Sequence, residues 1–489
     1  MNYKKPEAVG ISSENIQKYL NILEGRRLST HSLIIARGDD IVFEKYWAPF
    51  TPDFQHRMYS ISKSVVAIAV GFAEQEGLLS LDDPMSSFFA DELKNQPDEN
   101  MKNQTVRHML MMSTAKLERG WFAARPDDRV RFYFENDRAD SRPSGTIFQY
   151  DSTGSFVLGA LIERLTGMPF MEYLRPRLFD KIGVSKEAYC LKCPGGHSWG
   201  DSGILCTPRD MLLIARFMLN GGKWNGEQLL NEKFVKDATS RLIDNSGSNF
   251  GAYNTHGYGY LIWRDHDESF SFNGMGCQFA VCVPGTDIIM MYNGDNQGTE
   301  LAKDLIVDNF FGLISRMAKD EPLPENPAAQ EALERPLKLM VADGDAYSDF
   351  QEEINGAIFA LAPNDMGISK LSLHFGEGGK NYFRYTNEQG DKEIEFGMCE
   401  NAFGDFPQEG YSNEVGSART ENFYYRCATS AAWIEPKKLF VKVQIIDTYF
   451  GRLNIVLGFR DRNTVGIFMN KKAEDFLNEY KGYADGRRV

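Results

Sequence analysis

A chain of 489 residues is too long for one ordinary hydrophobic core, so two or three domains are expected. With 42% hydrophobic and 25% charged residues, the composition is that of a folded protein and excludes a disordered one. The net charge of −14 argues against nucleic acid or an anionic membrane surface as the main partner, because both need clustered positive charge.

The opening stretch MNYKKPEAVGISSENIQKYL has lysines but no apolar run behind them, so it does not read as a secretory signal. No uninterrupted run of about 18 apolar residues suggests a membrane span. Seven cysteines, an odd number scattered along the chain, read as reduced thiols, and a cytoplasmic location is expected. Residues 13–24 read as a helix capped by Ser12 or Ser13. SLIIARG and IVFEKYW (32–38 and 41–47) read as two strands joined at Asp39-Asp40. SISKSVVAIAVGFAEQEG (60–77) reads as a buried helix closed by Gly77. Further helical segments follow, among them VRHMLMMS and SFVLGALIERLTG. Residues 257–294 contain four short strand patterns, and 300–317 is an apolar-periodic helix. Strands at both ends with helices between them predict an α+β domain, an antiparallel sheet flanked by helices with a helical insertion, over residues 1–319. The acidic, proline-rich segment 320–336 reads as a linker. Beyond it, KLFVKVQIID places Leu439, Val441, Val443 and Ile445 on one face at period two, and about eight antiparallel strands are expected over 337–489, in a barrel or sandwich.

Ser-x-x-Lys occurs twice, at Ser60/Lys63 and Ser113/Lys116. Ser60 opens an apolar helix, where its hydroxyl lies near the positive end of the helix dipole, and Lys63 one turn on shares its face and can take its proton. Ser113 follows a methionine-rich helix and reads as a helix-end residue. A third group is needed to pass the proton to the leaving group. Tyr150, just before a helix capped by Ser152 or Thr153, is the candidate, although its position alone fits an ordinary core aromatic. An oxyanion hole needs two convergent backbone N–H groups. Ser60 supplies one, and Asn273-Gly274-Met275-Gly276 supplies the other or is a plain hairpin turn. Cys190-x-x-Cys193 with His197 lacks a second pair at zinc spacing, no His-x-x-x-His pair occurs, and no phosphate-binding loop is present, so no metal and no cofactor are expected. Gly-x-Ser-x-Gly is also absent.

Six stretches in order resemble the class C β-lactamase-related serine hydrolases, a family that includes penicillin-binding proteins and many esterases. They are HSLIIARGDDIVFEKYW, YSISKSVVAIAVGFAEQEGLLSLDDP, TVRHMLMMSTA, SGTIFQYDSTGSFVLGALIERLTG, WGDSGILCTPRDMLLIARFMLNGGKWNGEQLL and FNGMGCQFAVCVPG, and the likeness covers roughly residues 5 to 318. The resemblance implies a β-lactamase/transpeptidase-like fold, with Ser60 as nucleophile, Lys63 as its partner, Tyr150 as general base and acid, and the Met275 N–H as second oxyanion donor. Acyl transfer through an acyl-enzyme would follow. Two positions depart from the family pattern. Ser152 replaces the asparagine of Tyr-x-Asn, and Phe272, followed by Asn273 and Gly274, replaces a basic residue that holds the carboxylate of a β-lactam. A small ester, amide or peptide-like substrate is therefore expected, with penicillin-binding or D-peptide chemistry as the alternative. The C-terminal part resembles, in strand pattern only, the lipocalin-like extensions of some members, and is expected to pack near the cleft or to build a homo-oligomer.

Overall fold

The computed structural model describes residues 2–91, 98–115, 127–135, 141–248, 255–299, 301–416, 418–473 and 480–489. They form two units: Met1–Lys338 with Asn413–Ser417, and Leu339–Ser412 with Ala418–Val489.

The principal elements of the first unit are α1 (Ser13–Gly25), β1 (Thr30–Arg37), β2 (Asp40–Ala48), α2 (Ile61–Gln75), α3 (Ser152–Thr166), α4 (Pro208–Leu219), β3 (Phe270–Gly274), β4 (Gln278–Val283), β5 (Ile288–Gly294) and α5 (Ala302–Phe310). The Ser12 hydroxyl caps α1, accepting the Asn15 N–H at 3.4 Å. Strands β2, β1, β5, β4 and β3 lie side by side in that order, antiparallel throughout. Every residue of β3, β4 and β5 is buried, which is why IIMMYNG and QFAVCV read as near-continuous apolar runs. Leu33, Ile35, Phe279, Val281 and Met290 form one core with Ile16, Leu20, Ile306 and Phe310 of α1 and α5. On the other face Cys282 packs at the α4 backbone, its Sγ 3.8 Å from the Ala215 carbonyl.

Three expectations are corrected. GYGYLIW yields only the two-residue strand Trp263–Arg264, because Gly257 (φ 114°) and Leu261 (φ 54°) turn the chain out of extended geometry. The helix expected to run to residue 317 gives way after Phe310 to a π-helical turn, Phe311–Ser315. Residues 320–336 belong to the first unit. They contain a helix, Pro327–Leu333, and Leu333 and Leu337 join the core beside α1, while Leu337–Lys338 pairs in parallel with Trp47–Ala48. Leu333 within the segment and Leu337 just beyond it outweigh the proline-rich, acidic composition that suggested a linker.

The second unit is a β-barrel. Its strands are β6 (Ile358–Leu361), β7 (Lys370–Phe375), β8 (Asn381–Asn387), β9 (Gly390–Met398), β10 (Ala402–Tyr411), β11 (Arg419–Glu435), β12 (Lys438–Ile446), β13 (Phe450–Asp461), β14 (Thr464–Ala473) and β15 (Gly482–Arg488). Nine of them close a ring in the order β9-β8-β7-β6-β15-β14-β13-β12-β11, and β10 pairs with β11 outside it. The ring is sealed by a short parallel contact of Gly397 and Met398 with Ser430 and Ala431. Leu439, Val441, Val443 and Ile445 all face the interior, as their alternation predicts.

Candidate active site

Ser60 follows the two-residue strand His56–Arg57, which pairs with Ile204–Cys206. Between them Tyr59 adopts φ 48°, a left-handed conformation unusual for a bulky residue. This sharp turn places Ser60 as the N-cap of α2. The approach is fixed on both sides. The Met58 N–H donates to the Ile204 carbonyl at 2.9 Å, the Ile204 N–H donates to the Ser62 hydroxyl at 3.0 Å, and the Ser64 hydroxyl donates to the Leu261 carbonyl at 2.7 Å. Helix α2 is buried from Ile61 through Ala73, so its polar side chains have fixed surroundings.

Lys63 is 2% exposed. Its Nζ donates to Ser60 Oγ at 2.9 Å and to the Asp201 backbone carbonyl at 2.7 Å. The same Nζ lies 5.0 Å from the centre of the Tyr150 ring, which stacks on Trp263 at 5.7 Å between centroids. The capped start of α3 fixes the backbone beside Tyr150. The cap is Asp151, and neither Ser152 nor Thr153, because the Asp151 carboxylate accepts both the Gly154 N–H at 2.8 Å and the Thr114 hydroxyl at 2.9 Å.

Opposite Ser60, β3 ends at Gly274. A Cβ there would stand 2.3 Å from the Met58 carbonyl oxygen, so only glycine lets the strand end approach the turn into Ser60. The Gln278 amide donates to the Met275 carbonyl at 2.9 Å and to the Gly294 carbonyl at 2.6 Å, and the Asn296 N–H donates to the Gly276 carbonyl at 3.0 Å. These bonds anchor the Met275–Gly276 turn. Ser60, Tyr150, Trp263, Asn273, Gly274 and Met275 line a cleft of about 670 Å³ together with residues 296–299 and the start of α5.

The structure therefore brings together Ser60, Lys63, Tyr150, Asn273, Gly274 and Met275. It does not bring Ser152 and Phe272 to the cleft as contact residues. Ser152 is buried, with its carbonyl accepting the Ser155 hydroxyl at 2.8 Å. Phe272 is 0% exposed and sits near Phe270, because alternation along β3 turns it away from the face Asn273 presents. Ser113 is a helix-end residue, its hydroxyl donating to the His108 carbonyl at 3.1 Å. Lys116 and parts of the loops 117–145 and 239–256 lie outside the described residues. Cys193 and Cys190 are thiols pushed up by burial, and His197 Nδ1 is bonded to Glu163 at 2.7 Å. Among the described residues no cluster of three or more His, Cys, Asp or Glu could hold a metal ion, and no helix is long and apolar enough to cross a membrane.

Two residues near the site escaped sequence reasoning. Trp263 is the stacking platform of Tyr150. Asp201, a lone acid within the small and apolar run WGDSGIL, is fully buried beside Lys63. Burial pushes the Asp201 carboxyl up to about 6, against the attraction of Lys63, Arg129 and Arg57. A carboxyl raised in the folded state binds its proton more tightly there than in the unfolded chain. Its favourable contribution is complete below the unfolded value near 3.8 and is lost as pH rises to about 6. At neutral pH the buried carboxylate thus costs roughly 3 kcal/mol. Asp201→Asn is expected to melt above the wild type at pH 7.5, with the difference gone near pH 4. Calorimetry at both pH values checks this, and a variant that melts lower at pH 7.5 refutes it.

The β-lactamase family model matches residues 16–308, more than half of the chain. A 6-aminohexanoate-dimer hydrolase of Paenarthrobacter ureafaciens is 25% identical over 264 residues, covering 50% of this chain and 67% of the relative. An octameric penicillin-binding protein homologue of Pyrococcus abyssi shares the fold with a TM-score of 0.51 at 16% identity, over 97% of this chain and 99% of its own. The D-amino acid amidase of Ochrobactrum anthropi does so with a TM-score of 0.50 at 17% identity, over 62% of this chain and 98% of its own. An ordered serine–lysine pair at the head of a buried helix and a match of this extent lead to one conclusion: the chain belongs to the β-lactamase family of serine hydrolases.

Proposed function

We propose that the protein hydrolyses a small ester, amide or peptide-like substrate through an acyl-enzyme on Ser60. The observation that carries this reading is the 2.9 Å hydrogen bond between Lys63 Nζ and the hydroxyl of Ser60, which lines a cleft. Ser60 attacks the substrate carbonyl, Lys63 takes the hydroxyl proton, and Tyr150 delivers a proton to the leaving group. The backbone N–H groups of Ser60 and Met275 face the developing oxyanion, and the dipole of α2 adds to their effect. Water then releases the acyl group as Tyr150 takes a proton from the water and Lys63 returns its proton to Ser60 Oγ. The third-motif position holds the buried Phe272 and offers no cation there for a β-lactam carboxylate, which favours simple esters and amides over penicillins. Names of the relatives point the same way, toward amide bonds.

A fluorophosphonate probe should label the wild type at Ser60 and leave Ser60→Ala unlabelled. A panel of short p-nitrophenyl esters, amino-acid amides, D-peptides and nitrocefin should show turnover of esters or amides and little or none of nitrocefin. Labelling that persists in Ser60→Ala would refute the assignment.

A further inference from the structure

Asp201 is an expensive residue in this position. It is completely buried, and neither carboxylate oxygen has a hydrogen-bond partner in another described residue. Lys63 from α2, Arg57 from the strand before Ser60 and Arg129 from the helix Arg129–Glu135 face it, and of these the two arginines are permanently charged. Among the described residues the thiols of Cys190 and Cys193 also feel its charge, and burial pushes both up. The two guanidinium groups are engaged elsewhere. Arg57 donates to the Ser202 carbonyl at 3.1 Å and lies over the Tyr59 and Trp199 rings. Arg129 donates to Cys193 Sγ and lies over Trp199 as well. Only Lys63 changes its charge during the proposed reaction, and it is bonded to Asp201's own backbone carbonyl at 2.7 Å.

Resting on the acyl-enzyme reading, we infer that Asp201 is a positioning residue whose buried carboxylate stabilises the ammonium formed on Lys63 when Ser60 gives up its proton. In that step the Ser60 O–H bond breaks as the bond from Oγ to the substrate carbonyl carbon forms. The carbonyl π pair moves to oxygen, and the proton moves to Lys63 Nζ. Asp201 neither gains nor loses a proton. It supplies a fixed negative charge in a dry site, where such charge acts most strongly on a developing cation. A purely structural side chain of this volume would serve better as asparagine, which fills the space without an unpartnered charge.

The test uses the full chain and p-nitrophenyl butyrate, with kcat and KM recorded from about pH 4.5 to 9 for the wild type and Asp201→Asn. The wild-type kcat/KM should rise through a limb near pH 6, where the carboxyl ionises. Asp201→Asn should lack that limb and run about 10- to 100-fold below the wild type at pH 7.5, the loss falling on kcat and not on KM. A variant that keeps the limb, or matches the wild type at every pH, overturns the inference. Should the variant not fold, the rate of Ser60 labelling in the wild type decides instead: a rate that is flat between about pH 5 and 7 overturns it equally. Absence of any Ser60 labelling in the wild type would overturn the hydrolase reading and this inference with it. Labelling and turnover with an unaltered Asp201→Asn profile would overturn this inference alone.

Discussion

Lys63→Met should lower the acylation rate by about 10²- to 10⁴-fold while the chain remains folded. Methionine keeps the length of the lysine stem along the buried face of α2 and removes only the amine. Two hydrogen bonds disappear with it, to Ser60 Oγ and to the Asp201 carbonyl. The first loss removes the proposed proton acceptor of Ser60. The second leaves a buried carbonyl without that partner, at a cost of about 1–3 kcal/mol. Stopped-flow measurement of the p-nitrophenol burst checks the rate, and thermal melting checks the fold. Asp201→Asn placed on top of Lys63→Met should add almost nothing, because the carboxylate then has no ammonium to stabilise. A rate within a few-fold of the wild type would remove Lys63 from the mechanism.

Gly274→Ala should be nearly as damaging, by a steric route. The new methyl group would meet the Met58 carbonyl oxygen at 2.3 Å and the Gln278 side chain at 3.0 Å. Backbone cannot yield as a flexible side chain can, so either β3 or the turn into Ser60 must move. Overpacking of this kind costs about 1–3 kcal/mol. Because the shift separates the Met275 turn from Ser60, the proposed oxyanion site is spoiled as well, and kcat should fall by about 10²- to 10³-fold. Gly312→Ala is the control: a Cβ there meets nothing within 4 Å, and stability and turnover should stay close to the wild type. Equal behaviour of the two variants would show that the close approach of β3 to the turn into Ser60 does not matter.

How much could be read from the sequence depends on the range of the interactions. Ser60 and Lys63 are one helical turn apart, so their meeting is a local fact that spacing and helix context expose. Tyr150, Asn273 and Met275 are each ambiguous alone, and only an ordered resemblance to a family joined them to Ser60. Asp201 and Trp263 reach the site through tertiary packing, and nothing in WGDSGIL or GYGYLIW marks them beyond an acid among small residues and a tryptophan near tyrosines. Phe272 is recognisable as the residue replacing a base, but its direction depends on the strand pleat, which the motif does not display. The segment 320–336 misled for a related reason. Its prolines and acids dominate the composition, while Leu333 within it and Leu337 just after it decide where it lies.

The C-terminal ring obeys a rule of parity. Strands that reverse direction at every step can close wholly antiparallel only in even number. Nine strands cannot, so the first and last must run the same way, and the contact of Gly397–Met398 with Ser430–Ala431 is where the mismatch is absorbed. Gaining or losing a whole hairpin would leave that seam parallel, whereas gaining or losing one strand would reverse it. Change in the girth of this domain is therefore easiest in steps of two.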